Sequence, residues 1–313
     1  MIPSRKEVID AYYRVQPYVH NTPVLKSSYL NSLSGTEVYF KCENFQKMGA
    51  FKMRGAINAI LQLSEAQKEA GVVTHSSGNF AQAVSLAAQK VGVKAHIVMP
   101  SNAPSVKQEA VKGYGGLITI SEPTLAAREA AAATIEKETG ATFLHPSNNK
   151  EVILGNSTAA YELLHSHPEI EIILTPVGGG GLVAGTALAA HYIGNNCKVV
   201  GGEPFAVDDA YRSLQSGKIE INETTNTVAD GLRTNLGAIN FPIIKELVSE
   251  IIRVEEEEII AAMRLIWERM KIIIEPSCAV PFAAVLKEKQ KFKHKKIGII
   301  LSGGNVDVKK LPF

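Results

Sequence analysis

The chain has 313 residues, enough for one large or two modest domains. Its 33 lysines and arginines nearly balance its 31 aspartates and glutamates, so charge gives no case for nucleic acid or an anionic membrane as a partner. No apolar run is long enough to span a bilayer, and the first residues lack the apolar core of a signal peptide. The three cysteines, Cys42, Cys197 and Cys278, are far apart in sequence, which argues against a disulfide framework or a zinc site and indicates a reducing, cytoplasmic location.

The predicted elements alternate between strands and helices along most of the chain. In chain order we predict an amphipathic helix at the start, strand 38–44, helix 52–63, helix 78–89, strand 95–100, helix 123–138, strand 171–177, helix 182–192, strand 198–204, helix 255–271 and strand 296–302. Alternation of this kind is typical of parallel sheets covered by helices. The predicted fold class is therefore α/β.

Four short segments carry the residues that we expect to do chemistry. They are FKMRGA at 51–56, THSSGN at 74–79, PVGGGGL at 176–182 and LSGGN at 301–305. Together they offer a lysine amine, a serine–asparagine loop, a glycine cradle of phosphate size and a glycine-rich strand end. An enzyme that holds pyridoxal phosphate as a Schiff base with lysine needs such a set.

Each segment also has a plainer explanation. A lysine that opens a helix is usually a solvated surface residue, and the SSGN serine could cap a helix. The glycines, with Glu203 about 20 residues further on, fit the looser dinucleotide fingerprint, so a nicotinamide-dependent oxidoreductase is a second interpretation. That interpretation gives no role to Lys52, to the SSGN loop or to the terminal SGGN segment.

The order of these segments resembles the fold-type II pyridoxal-phosphate enzymes, in particular the group of serine racemases and serine/threonine dehydratases. The resemblance runs from KCENFQKMGAFKMRGA to LSGGNVD and includes GGEPFAVDD, VADGL and WERMKIIIEPS. It implies a tryptophan synthase β-like fold of two lobes, each a mostly parallel twisted sheet flanked by helices. It also implies a large cofactor-binding domain of residues 1–67 with 149–313, a small mobile domain of residues 68–148, and a homodimer.

The resemblance assigns roles around the cofactor. Lys52 would form the Schiff base and take the α-proton on one cofactor face, and Ser77 would act as acid or base on the other face. Asn79 would hydrogen-bond the phenolic oxygen of the cofactor, and Ser302 would hydrogen-bond its pyridine nitrogen. The other expected cofactor contacts are Phe51, Gly178, Gly179, Gly180, Gly181 and Leu182, with the glycine amides around the phosphate.

The substrate side is less regular. The expected substrate contacts are Ser76, Ser77, Phe80 and Arg128. Phe80 stands where the family usually has histidine, and it would remove a polar side chain from the pocket rim. Ala50 likewise stands where the family usually has serine. These departures leave the preferred substrate open.

A divalent cation is also expected. Glu203, Asp209 and the carbonyl of Val207 resemble the cation site of the racemases, and hard oxygen ligands of this kind suit magnesium, calcium or manganese. Without the resemblance, an exposed acidic helix start would be the preferred interpretation. The cation's expected role is structural or activating, because nothing places it at the reacting carbon.

The predicted function is a pyridoxal-phosphate-dependent serine/threonine dehydratase that converts a small β-hydroxy amino acid into a 2-oxo acid and ammonia. Reprotonation of the same carbanion would add serine racemase activity. The alternatives within the group are serine racemase as the main activity and threo-3-hydroxyaspartate ammonia-lyase. A catalytically silent cofactor-binding protein is an alternative of another class.

Overall fold

Two parallel sheets organise the molecule. The computed structural model describes residues 2–76, 78–103 and 105–313. The strands are β1 (Val24–Leu25), β2 (Glu37–Cys42), β3 (Val72–His75), β4 (Ala95–Pro100), β5 (Leu117–Ser121), β6 (Thr142–Phe143), β7 (Ile172–Pro176), β8 (Lys198–Pro204), β9 (Glu250–Val254) and β10 (Lys296–Leu301). The helices are α1 (Arg5–Val15), α2 (Ser28–Ser34), α3 (Lys52–Leu61), α4 (Glu65–Ala70), α5 (Asn79–Val91), α6 (Ser105–Gly113), α7 (Leu125–Thr139), α8 (Lys150–Ser166), α9 (Gly181–Ile193), α10 (Asp209–Ser216), α11 (Phe241–Leu247), α12 (Glu256–Met270), α13 (Pro276–Lys287) and α14 (Lys289–Phe292).

The larger sheet has six strands in the order β1-β2-β10-β7-β8-β9, and all of its pairings are parallel except that of β1 with β2. Its middle strands carry near-continuous apolar runs, as strands covered on both faces require. The smaller sheet has the order β5-β4-β3-β6, and its pairings are parallel. The predicted α/β class, with two mostly parallel sheets flanked by helices, is confirmed.

Two strands, β4 and β8, have the predicted bounds. The other elements for which the sequence analysis gave bounds are present with ends that differ by at most two residues. The sequence analysis did not predict the strands β1, β3, β5, β6 and β9, nor the helices α2, α4, α6, α8, α10, α11, α13 and α14. α8 was missed because it is apolar and small-residue-rich on several sides, so it shows no single stripe: residues 152–164 of it are all buried.

Helix α8 lies in the centre of the fold, between α3 and α9. The three helices approach closely because glycines face backbone: a Cβ on Gly155 would lie 2.3 Å from the carbonyl oxygen of Arg54, and a Cβ on Gly185 would lie 2.6 Å from that of Ile153. This packing sets the position of the first turn of α3, where Lys52 lies. None of the described helices is long and apolar enough to cross a bilayer.

Candidate active site

Lys52 is the first residue of α3, and its amine is partly buried in a mostly apolar setting. Its Nζ donates to the carbonyl oxygen of Pro146 at 3.0 Å. The ring centroids of Phe51 and Phe80 lie 4.9 and 5.7 Å from the same nitrogen. Burial lowers the pKa of Lys52 from 10.5 to about 8, against the opposing charge of Glu275. A lowered pKa makes this amine a better nucleophile near neutral pH than an exposed lysine.

We expect the rate at which Lys52 combines with pyridoxal phosphate to rise with pH around a midpoint near 8, the value to which burial lowers its pKa. The sign follows from the chemistry, because only the unprotonated amine attacks an aldehyde. The measurement is the growth of the visible cofactor band after pyridoxal phosphate is added to cofactor-free protein at a series of pH values. A midpoint close to the ordinary lysine value of 10.5 would show that the buried setting does not lower the pKa.

The four glycines at 178–181 form a loop between β7 and α9. Gly180 is the residue before α9 and has φ of +80°, and no side chain caps this helix. A Cβ on Gly179 would lie 2.4 Å from Oγ of Ser147, and one on Gly181 would lie 2.9 Å from its Cα. The first N–H groups of a helix lack intrahelical partners and carry its positive dipole end. The loop can therefore offer backbone amides to an anion.

A segment that the sequence analysis missed, residues 145–149, connects Lys52 to the glycine loop. Pro146 accepts the hydrogen bond from Lys52, and Ser147 packs against the glycines. Nδ1 of His145 accepts from the backbone N–H groups of Ser147 and Asn148 at 3.2 and 2.8 Å, and Asn149 caps α8. Burial, then the charges of His75 and Lys52, lowers the pKa of His145 to about 4, so the ring is neutral. The sequence signals for this segment were the histidine–proline pair and the helix-capping residue Asn149.

The end of β10 and the start of α5 also meet beside α3. The N–H of Phe51 donates to the carbonyl of Ser302 at 3.0 Å, and Ser302 is buried. Nδ2 of Asn79 donates to both carboxylate oxygens of Glu275, at 3.0 and 3.1 Å, and Nδ2 of Asn305 donates to Oδ1 of Asn79 at 2.9 Å. These bonds orient the Asn79 amide between the two sheets.

Glu275 is a further site residue, and it lies in the segment WERMKIIIEPS that contributes to the family resemblance. Burial, then the charge of Asp230, raises its pKa to about 7, although the Asn79 amide opposes the shift. A carboxyl group of this kind can change protonation state near neutral pH.

The expected substrate contacts fall in different places. Ser77 lies outside the described residues. Oγ of Ser76 accepts from the N–H of Gly78 at 3.3 Å. Arg128 lies on α7, where Nε donates to the carbonyl of Thr124 at 3.4 Å, and burial followed by the Arg128 charge lowers the pKa of His75 at the end of β3. Arg128 therefore lies near the segment that leads into the SSGN loop.

Phe80, which the resemblance places on the substrate side, is buried. Its side chain is only 2% exposed and packs in the core between α3 and the smaller sheet. Phe80 lies on the inward face of α5. An aromatic ring can bury a large apolar area there, whereas a buried histidine would need a hydrogen-bond partner. From this position in the core, the ring centroid of Phe80 lies 5.7 Å from Nζ of Lys52.

The expected cation ligands form a buried acidic pair at the end of β8. Glu203, Val207 and Asp209 are all fully buried. The Glu203 carboxylate accepts from the N–H groups of Ala210 and Tyr211, and Asp209 accepts from Asn222 Nδ2 and the N–H of Leu236. Burial and the neighbouring Asp209 raise the pKa of Glu203, and burial raises that of Asp209 to about 6. In the described part of the chain, no group of three or more His, Cys, Asp or Glu side chains could hold a metal ion.

The fold and this geometry define a class of two-sheet α/β enzymes in which one segment joins a partly buried lysine amine to a glycine loop. The family model described as "Pyridoxal-phosphate dependent enzyme" matches residues 15–303, and the chain belongs to this family. The family match favours pyridoxal phosphate over the nicotinamide interpretation.

Similar proteins match over nearly the full length of the chain. A serine racemase of Dictyostelium discoideum is 50% identical over 307 residues, with 97% of this chain and 95% of the relative covered. A beta-hydroxyaspartate dehydratase of Paracoccus denitrificans is 44% identical, with 100% and 99% covered. The solved structure of maize serine racemase superposes with a TM-score of 0.96 at 44% identity, covering 99% of this chain and 95% of that one. The chain is thus an enzyme of the type that includes serine racemases and related ammonia-lyases.

The residues fit pyridoxal phosphate. Lys52 offers a nucleophilic amine, and the uncapped start of α9 offers amides at a loop where no Cβ intervenes. Asn79 and the buried Ser302 come together near Lys52 and bring hydrogen-bonding groups for the polar atoms of the ring. This donor set is complementary to an aldehyde, a phosphate and a polar aromatic ring.

Proposed function

We propose that this protein is a dehydratase of small β-hydroxy amino acids that also racemises serine, with Lys52 as the catalytic base and cofactor-binding lysine. The observation that carries the proposal is the Lys52 amine, hydrogen-bonded at 3.0 Å to a carbonyl that adjoins the glycine loop, with a pKa near 8. Full-length similarity to serine racemases and to a hydroxyaspartate dehydratase supports the substrate class.

Bound pyridoxal phosphate supplies an electron sink for negative charge at the substrate Cα. Once the substrate amino group has replaced it at the cofactor aldehyde, Lys52 Nζ would accept the α-proton, and its lowered pKa would let it do so near neutral pH. The amides at 178–181 would hold the phosphate, and Asn79 and Ser302 would orient the ring. Ser302 is an uncharged partner for the ring nitrogen, which favours β-elimination over transamination.

After the α-proton has been removed, the reaction can lead to two kinds of product, and the next proton transfer decides between them. Loss of the β-hydroxyl as water, with acid assistance, releases an enamine that water hydrolyses to a 2-oxo acid and ammonia. Delivery of a proton to Cα from the opposite face, by Ser77, leads to the D-amino acid. Racemisation needs a proton donor and acceptor on each face, and we propose Lys52 and Ser77 for these roles because the residues resemble that pair. Ser76, Phe80 and Arg128 are proposed to shape the substrate side.

We propose further that residues 68–148 form a small domain that moves against residues 1–67 with 149–313. Support comes from the four-stranded sheet, whose strands run from Val72 to Phe143. We also propose a cytoplasmic homodimer. The reduced state of the buried thiols of Cys42 and Cys278 is compatible with that location.

A divalent cation is proposed to bind Glu203, Asp209 and the carbonyl of Val207. Support comes from the two fully buried carboxylates, whose pKa values are raised by burial. A hard cation would offset the repulsion between their negative charges. The proposed role of the cation is structural. Glu203 accepts from the N–H of Ala210 on α10 and Asp209 accepts from that of Leu236, so these carboxylates orient those two backbone segments rather than Lys52.

We expect magnesium to raise the melting temperature by about 3 °C or more, and a chelator to reverse the gain, because a ligand that binds only the folded state stabilises it. Asp209→Asn should lose this response. The control is Asp208→Asn, because Asp208 pairs with Arg212 and Arg253 instead. Scanning calorimetry with and without magnesium makes the comparison. An equal magnesium response in wild type and Asp209→Asn would disprove the assignment.

The function is tested by turnover of L-serine, D-serine, L-threonine and threo-3-hydroxyaspartate, with and without magnesium, reading both 2-oxo acid and product chirality. Release of 2-oxo acid supports the dehydratase and identifies its substrate. Formation of D-serine without 2-oxo acid supports serine racemase as the main activity. A protein loaded with cofactor that turns over none of the four substrates would reject this substrate class.

A further inference from the structure

A fully buried cluster of four charged side chains lies behind the helix that carries Lys52. Arg54 and Lys41 supply the positive charges, and Glu43 and Glu162 supply the negative ones. Their side chains are at most 4% exposed. Burying four charges is costly unless each is well paired, so the cluster calls for a reason beyond stability.

The Arg54 guanidinium is the centre of this cluster. It donates to Glu43 from Nε at 2.7 Å and from Nη2 at 2.9 Å. It donates to Glu162 from Nη1 and from Nη2, both at 2.8 Å. A further bond runs from Nη1 to Oγ1 of Thr158 at 3.1 Å. Glu43 and Glu162 thus each accept two hydrogen bonds from the planar guanidinium of Arg54, an arrangement called here the Arg54 clamp. A lysine ammonium could not reproduce this geometry.

Arg54 follows Lys52 by two residues on α3. Positions two apart on an α-helix point in nearly opposite directions, at about 200° around the axis. Lys52 therefore faces the site while Arg54 faces the interior, in the same helical turn. Glu43 follows β2 and Glu162 lies on α8, so the clamp joins this turn to two rigid elements. Rotation or sliding of the turn would break several charged hydrogen bonds.

We propose that Arg54 is a positioning residue that holds the first turn of α3 through Glu43 and Glu162, and so sets where the Lys52 amine meets the cofactor and the substrate. The inference rests on the proposed role of Lys52. Arg54 does not touch the site itself, and it acts only through the helix. Placement within about 1 Å is worth up to 100-fold in rate for a reacting group.

The test uses two variants. Arg54→Lys keeps the positive charge and removes the planar guanidinium, and Glu162→Gln removes the negative charge of one of the two carboxylates that bind it. The control is Lys41→Met. Lys41 lies on β2 and pairs with Glu162 at 2.7 Å, so its loss disturbs the same cluster and leaves the Arg54 clamp in place. Each folded variant is stripped of cofactor, and pyridoxal phosphate is then added back.

We expect Arg54→Lys to slow the growth of the visible band by about tenfold or more, to shift the pH midpoint of that rate, and to lower kcat more than it raises KM. Glu162→Gln should show the same changes to a smaller degree, and it carries the test alone if Arg54→Lys does not fold. Lys41→Met should lower the melting temperature and leave the rate and its midpoint unchanged. Wild-type values in both clamp variants, or equal changes in Lys41→Met, would overturn the inference. Absence of the band in wild type would instead overturn the proposed function together with it.

Discussion

Replacing Lys52 with alanine is expected to lower turnover of every substrate by about a thousandfold or more, because it removes both the nucleophile for the cofactor and the proposed base. The visible band at about 410 nm, which reports the lysine–cofactor linkage, should be absent as well. Structure and stability should change little, since the one hydrogen bond of the amine to a described residue is that to Pro146. The measurements are 2-oxo acid release, product chirality and the absorption spectrum.

Lys68→Ala is the matched control for this prediction. Lys68 lies on α4, and its ammonium pairs with the exposed carboxylate of Glu65 rather than with a residue of the site. Its replacement should leave both turnover and spectrum as in wild type. If Lys52→Ala retained the band, another lysine would hold the cofactor, and the site described above would be wrong.

Replacing Gly155 with alanine is expected to destabilise the protein by about 3 kcal/mol, because overpacking a tight core contact forces the backbone apart. The new Cβ would lie 2.3 Å from the carbonyl oxygen of Arg54 and 2.7 Å from Cα of Gly55. Neither atom belongs to a flexible side chain. The shift of α3 away from α8 should also slow cofactor incorporation at Lys52. Urea unfolding followed by circular dichroism gives the free energy of unfolding.

Gly113→Ala is the control for the helix glycine. Gly113 ends α6, and a Cβ added there would meet nothing within 4 Å. This change should be neutral or should stabilise the protein by up to about 1 kcal/mol, because alanine restricts the unfolded chain. Similar free energies of unfolding for the two variants would show that the α3–α8 contact has room for an added methyl group.

The success of the element predictions depended on local patterns. β4 is a short, nearly continuous apolar run between Lys94 and Ser101, and its bounds follow from those residues alone. α8 shows the opposite case. Its buried faces meet α1, α3 and α9 at once, so no polar side remained to create a period. Its N-cap Asn149 was visible in the sequence and was not used.

The candidate site likewise combines residues that the sequence could identify with contacts that only folding decides. The reactive lysine and the glycine loop could be picked out because their residue types match their chemistry. The carbonyl of Pro146 could not, since every residue has a carbonyl and only folding decides which one meets Lys52. The contact of Asn79 with Glu275 joins residues 196 positions apart and has no local signal.

By itself the sequence determined the α/β class, the resemblance to pyridoxal-phosphate enzymes and the segments that supply the site, because these depend on residue types and their order. Only the tertiary structure decided that Phe80 is buried against Lys52, that residues 145–149 join the lysine to the glycine loop, and that Arg54 lies between two carboxylates. These are contacts between elements distant in sequence. They depend on how the helices pack against the sheets, and no period or spacing along the chain records that packing.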